Sequence, residues 1–191
     1  MPKIVDHEQR RREIIEVTWR FIAQQGFDKL NLRDLAAAAG YANGGLKPYF
    51  PTRNSLLSAT FNFVFNSTGR RIARTTRGLA GMAAIRAFAA EVLPLDEERR
   101  DESRVVIHFW HVALQDEKMA QLNANSMDDW RRQLDGWLHQ VPGLDPQRVE
   151  VARNALMTFL LGAQITAVLD HAGNSRQQLL AQLDYLLESL H

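Results

Sequence analysis

Apolar residues recur at spacings of three and four along almost the whole chain, and no long stretch alternates with period two. β-branched residues are sparse. A chain patterned in this way buries itself as packed helices, so the fold class expected is all-α. Glycine, proline and capping residues divide the pattern into roughly nine helices. The first runs from about His7 to Gln25, with Ile14, Ile15, Thr18, Trp19, Phe21 and Ile22 as its buried stripe and Gly26 as its stop. Asn31 caps a short second helix that Gly40 ends, and a very short third spans Asn43 to Lys47 before Pro48. Thr52 caps a fourth, which extends over residues 53–77. Beyond Gly78 come a helix near Met82 to Val92, a polar loop from Pro94 to Arg99, and two helices near Asp101 to Gln115 and Glu117 to Gln140. Pro142, Gly143 and Pro146 then separate off a helix ending near His171, and Gly173-Asn174-Ser175 leads into the last one, which reaches Leu190.

Composition removes several classes of chemistry. With no cysteine in 191 residues, a disulfide framework, a thiolate zinc site, a cysteine nucleophile and a thiol redox sensor are all excluded. This fits a reducing cytoplasm, which is the location expected. The charged stretch from Asp6 to Glu13 is not followed by an apolar segment of the signal-peptide kind. The longest apolar stretch, Ala155 to Leu169, is shorter than the roughly 20 residues of a membrane span and is interrupted by Thr158, Gln164 and Thr166, so no membrane partner is expected. The formal net charge of +1 is unevenly placed. Up to Thr60, Lys3, Arg10, Arg11, Arg12, Arg20, Lys29, Arg33, Lys47 and Arg53 outnumber Asp6, Glu8, Glu13, Glu16, Asp28 and Asp34, and the remainder is slightly acidic. The excess positive charge is thus concentrated in the N-terminal third, a modest polarity and a weak signal of nucleic-acid binding when taken alone.

The first fifty or so residues also have the lengths and turns of a helix-turn-helix module. Helices two and three are joined by Ala39-Gly40-Tyr41-Ala42, where Gly40 supplies a positive φ and Leu35, Ala36 and Leu46 can pack the pair on helix one. A short helix set steeply against its predecessor can put its N-terminal end into a major groove. The text Leu30-Asn31-Leu32-Arg33-Asp34-Leu35-Ala36, then Ala39-Gly40-Tyr41-Ala42-Asn43-Gly44-Gly45-Leu46, then Tyr49-Phe50-Pro51-Thr52-Arg53-Asn54-Ser55-Leu56-Leu57 closely resembles the TetR family of regulators, as does Gly26-Phe27-Asp28. The resemblance covers about a quarter of the chain.

What it implies is a DNA-binding head over residues 1–52 and a ligand-binding, dimer-forming body over 53–191, with the fourth helix as connector. The function implied is a repressor released from a palindromic operator by a small molecule, without enzymatic activity or cofactor. Carried over by position, Arg33 approaches a base or phosphate. Ala42, Asn43, Gly44 and Gly45 face base edges. Tyr49, Arg53 and the amides at Thr52 hold phosphates. The family's usual tyrosine after the recognition leucine is Lys47 here, a point charge in place of a hydroxyl. Pro48 follows it, and Gly44 and Gly45 each cost a helix about 1 kcal/mol against alanine, so the recognition helix should be short and poorly ordered without DNA. Phe50 belongs to the core. Arg10-Arg11-Arg12 reads equally as a solvated face or as a set of phosphate contacts.

In the body, the helix from Val149 to Leu169 is apolar on almost every face, and the last helix carries Leu179, Leu180, Leu183, Leu186, Leu187 and Leu190. Two such helices per subunit, within about residues 146–190, would make a four-helix homodimer interface, as the family does. Phe109, Trp110, Met127, Trp130, Phe159 and Gln164 are candidate ligand-cavity residues. The Phe109-Trp110-His111 tract before the Trp130 helix resembles the choline-responsive branch of the family. An alternative is a metal-binding bundle or enzyme using His108 and His111, three apart on one helical face. No Glu-x-x-His repeat accompanies them, and no metal is expected.

Overall fold

In the computed structural model the described residues are 6–27, 29–42 and 44–190. Eight α-helices follow one another among them: α1 (His7–Gln25), α2 (Leu32–Ala38), α3 (Arg53–Thr75), α4 (Gly81–Val92), α5 (Glu97–Ala113), α6 (Glu117–Leu138), α7 (Val149–Leu169) and α8 (Arg176–Glu188). A 3-10 turn, Pro146–Arg148, leads into α7, and there is no strand among the described residues. The all-α architecture is therefore present as expected.

Local hydrogen bonds explain most of the boundaries. Asp6 Oδ1 accepts from the amides of Glu8 and Gln9 to start α1, and Asn31 Oδ1 accepts from Asp34 N at 2.7 Å to start α2. Thr52 and Ser55 form a reciprocal capping box at the head of α3. Ser175 and Gln178 do the same for α8.

Two hydrophobic clusters build on these helices. One joins α1, α2 and α3 through Ile14, Ile22, Leu35, Leu46, Phe50 and Leu57, and it reaches Val105 and Phe109 of α5. The other gathers Ile85, Phe88, Leu134, Leu156, Leu160 and Leu183 from α4, α6, α7 and α8. Phe65 of α3 packs against both. Phe50 and Phe61, at 0% and 1% exposure, each contribute on the order of 1.5–3 kcal/mol of burial to the first cluster.

Two segments of the body differ from the sequence reading. The expected polar loop from Pro94 to Arg99 is buried at Pro94 and Leu95, next to the buried Leu93, and α5 begins within it at Glu97, where Asp96 accepts from Arg99 N. The apolar stretch from Ala155 belongs to a longer continuous helical run, Pro146–Leu169, of 24 residues, whose most apolar 18-residue window has a mean hydropathy of 1.3. By length and composition alone it could cross a membrane. Here it packs against α5 and α6, with Ala152, Leu156, Leu160, Ala163 and Ala167 buried, while Val151 and Leu169 stand 69% and 79% exposed. A core helix with one uncovered apolar face accounts for that composition.

Candidate functional site

The segment after α2 turns on a Schellman motif: Tyr41 N donates to Ala36 O at 2.7 Å, Gly40 N to Ala37 O at 3.1 Å, and Gly40 adopts φ +75°. The expected third helix is absent as an α-helix. Residues 44–49 instead form consecutive tight turns, with Lys47 N donating to Gly44 O and Tyr49 N to Leu46 O. The reason is local: Gly44 sits at φ +84°, and Pro48 has no amide hydrogen to give. Leu46 and Phe50, both buried, pin the turns to the head. A Cβ on Gly45 would lie 3.0 Å from the Ala42 carbonyl oxygen and 3.2 Å from Tyr41 Cβ, so close backbone approach accounts for glycine there.

Around these turns Ala42, Gly44, Lys47, Thr52 and, on α2, Arg33 are exposed, while Gly45 and Tyr49 are half-buried. Asn43 lies outside the described residues. The Tyr49 hydroxyl is 3.2 Å from His7 Nδ1, and its carbonyl accepts from Arg11 Nη1 at 2.8 Å. Arg11 also covers the Phe50 ring at 4.4 Å, and Arg10 lies over Tyr41. Within the basic triplet only Arg12 is exposed, whereas Arg10 and Arg11 are half-buried and brace the turns. Arg53 is exposed but engaged: Nη2 donates to Phe27 O at 2.5 Å, and the guanidinium stacks 4.6 Å from the Phe27 ring. Its remaining N–H groups can still meet a phosphate.

Phe27 faces α5 as well. His108 lies against it with ring centroids 6.3 Å apart and Nε2 3.5 Å from Phe27 N, and the Phe61 and Phe109 rings stack at 3.8 Å. One side of α5 is thus fastened to the head. His111 is exposed, and among the described residues no group of three metal-ligating side chains comes together.

The other side of α5 lines a partly open cavity of about 30 Å³ in the body. Phe65 of α3, Trp110 of α5, Met127 and Trp130 of α6, and Gln164 of α7 form its walls. Four of the six expected cavity residues therefore meet: Trp110, Met127, Trp130 and Gln164. The other two are elsewhere. Phe109 is fully buried against Phe61 on the head-facing side of α5, and Phe159 borders an open groove between α7 and α8. Spacing alone assigns a residue to a helix face but not to the neighbour that face meets.

Polar groups at the cavity escape a reading of the sequence alone. Arg71 Nη1 and Nη2 clamp Glu102 at 2.8 and 2.6 Å, and its Nε donates to Glu91 at 3.2 Å. Arg99 reaches the same Glu91 oxygen at 2.6 Å and also pairs with Asp96. Burial pushes the Glu102 carboxyl above its ordinary range despite the opposing Arg71, while Glu102 holds the Arg71 guanidinium firmly charged. One buried side-chain atom, Arg99 Nε, lacks a partner among the described residues, and Gln164, a residue 5% exposed, turns to the cavity a carboxamide without a side-chain hydrogen bond. An unpaired buried polar group costs about 1–3 kcal/mol. The one signal in the sequence is Glu91 near the end of an alanine-rich helix whose only other charged residue is Arg86.

Comparison with known proteins points the same way. A family model described as bacterial regulatory proteins of the tetR family matches residues 14–60, and one described as the C-terminal part of a BetI-type transcriptional repressor matches residues 81–191. The chain is 28% identical over 172 residues to the HTH-type transcriptional regulator PksA of Bacillus subtilis, covering 89% of this chain and 84% of that protein. It is 23% identical to the HTH-type regulator BetI of Pectobacterium carotovorum, over all of this chain and 98% of the relative. A regulator from Saccharomonospora viridis in complex with choline superposes with a TM-score of 0.88 at 20% identity, covering 95% and 97% of the two chains.

Proposed function

This chain belongs to the TetR family, with a C-terminal part of the BetI repressor type, and on that premise we propose that it binds a palindromic operator as a homodimer and leaves it when a small molecule enters the body. It is a transcriptional regulator with a DNA-binding N-terminal domain. The observation that carries the finer reading is the two-sided engagement of α5. Its Phe109 and His108 hold the head while its Trp110 and Glu102 face the cavity. A cavity of about 30 Å³ has room for about one water, so a larger ligand must part its walls and move α5 or α3. That biases the separation of two heads in a dimer, a shift between DNA-competent and DNA-incompetent populations.

The DNA-facing residues in this proposal are Arg33, Ala42, Gly44, Lys47 and Tyr49, with the Thr52-capped start of α3 offering the Arg53 and Asn54 amides to a phosphate. Asn43 keeps its place as a base reader by sequence position. Gly45 serves the turn geometry, and Arg53 serves the Phe27 joint before any phosphate. The head is residues 1–52 and the body 53–191, with α3 shared between them. The partner subunit covers α7 and α8, where Val151, Ile165, Leu169 and Tyr185 leave an apolar strip open. A cytoplasmic location accompanies this role.

The test is selection of genomic fragments by the purified protein at two salt concentrations, followed by titration of the fragment recovered. One enriched palindrome is expected. Lys47→Ala should weaken binding to that palindrome and to unrelated DNA alike, and should flatten the salt slope by about 0.9 for each phosphate that Lys47 no longer neutralises. A slope identical to the parent's removes Lys47 from the interface. Uniform recovery of all fragments removes the operator reading.

A further inference from the structure

Resting on the reading of the cavity as the ligand site, we propose that its ligand is a small, planar, uncharged molecule whose carbonyl-type oxygen pairs with Gln164. The charges on the walls are already matched. Glu102 is clamped by both terminal nitrogens of Arg71, and Glu91 is shared by Arg71 and Arg99. A cationic ligand would find no unpaired carboxylate on the wall and would face the Arg99 guanidinium. An anionic ligand would meet Glu102 and find the wall's one guanidinium, Arg99, already paired with Glu91 and Asp96.

What is unmatched is neutral or donating. The Gln164 carboxamide offers two N–H donors and an oxygen to a ligand and makes no side-chain hydrogen bond among the described residues. The Arg99 Nε–H is buried and equally without an acceptor. Arg99 Nε–H and the Gln164 N–H groups call for an acceptor oxygen, and the Gln164 oxygen can take a donor in return. The rest of the wall is aromatic: Phe65 and Trp130 stack at 5.3 Å and 25°, and Trp110, held by Asn123 at 2.9 Å, closes another side. Flat rings suit a flat guest that slides between them. The narrowness of the cavity favours a guest of few atoms, admitted by parting Phe65 from Trp130.

Benzamide, benzoate and tetramethylammonium separate the possibilities, because they present a neutral carbonyl, a carboxylate and a cation. Each is titrated into the full chain, with binding read by calorimetry and by nuclear Overhauser contacts to the Trp110 and Trp130 indoles. Benzamide is expected to bind at those indoles at least tenfold more tightly than either ion. Gln164→Met keeps the volume and removes the hydrogen bonds, so it should cost benzamide about tenfold while raising the melting temperature of the unliganded protein. Gln164→Asn, which retains a carboxamide, should recover part of the loss. If tetramethylammonium or benzoate is the tighter binder at the indoles, the ligand class proposed here is wrong and the site stands. Benzamide affinity unchanged by Gln164→Met also overturns the class. Contacts from none of the three probes at either indole overturn both the class and the site.

Discussion

Arg71→Met is expected to destabilise the body by about 3–5 kcal/mol, because it leaves two inward-facing carboxylates without their shared cation. Glu91 and Glu102 side chains are only 10% and 11% exposed, so water offers little compensation. The loss should depend on pH in a definite direction. Burial already raises the Glu102 carboxyl above its ordinary range, so the folded chain takes up a proton there more readily than the unfolded chain does. A group raised in this way contributes most stability at low pH and loses that contribution as pH rises through its folded value. Without Arg71 the value rises further. The deficit of the variant, measured by urea unfolding, should therefore be largest near about pH 7 and shrink toward about pH 5. An equal deficit at both values would mean that Arg99 has swung over to neutralise Glu102.

Val151→Asp is expected to abolish the dimer and with it about a hundredfold or more of operator affinity. Val151 is 69% exposed in the single chain, so the substitution disturbs no packing within the subunit. In the proposed dimer it places two charges, one from each subunit, within the apolar interface. A monomer reads only half a palindrome, and the second half-site contributes through effective concentration rather than through new contacts, a factor of about 10²–10⁴. Sedimentation should show the monomer, and affinity for an isolated half-site should stay close to the parent's. A dimer that survives the change would move the interface away from α7.

What the sequence makes legible, and what it hides, follows the range of the interactions involved. Asn31, Thr52 and Gly26 act on backbone groups within a few residues, and each caps or stops the helix that its local text implies. The buried stripe of α1 and the core position of Phe50 follow from periodicity. The matching of Arg71 with Glu91 and Glu102 spans 20 and 31 residues, and no local pattern carries it. The acidic surroundings of Pro94 similarly disguise a buried Leu95 as a loop. Arg53 stands at the start of α3, where a phosphate contact is the expected use, and only the folded chain brings the Phe27 carbonyl to it. The shortness of the recognition segment follows from Pro48 and its glycines. That it closes as turns depends on Gly44 taking a conformation that its identity permits without requiring.

The sharing of α5 has a practical consequence for anyone wishing to make this protein into a biosensor. Its Phe109 stacks on Phe61 in the head-side core, while Trp110, the next residue, borders the chamber proposed to admit the inducer. A library that reshapes Trp110 or Val106 to accept a new inducer also alters how α5 seats the reading head. Background transcription and inducer selectivity should therefore drift together across such a library. Variants with a new inducer and an unaltered background are expected to carry their changes on α6 and α7, at Met127 or Gln164.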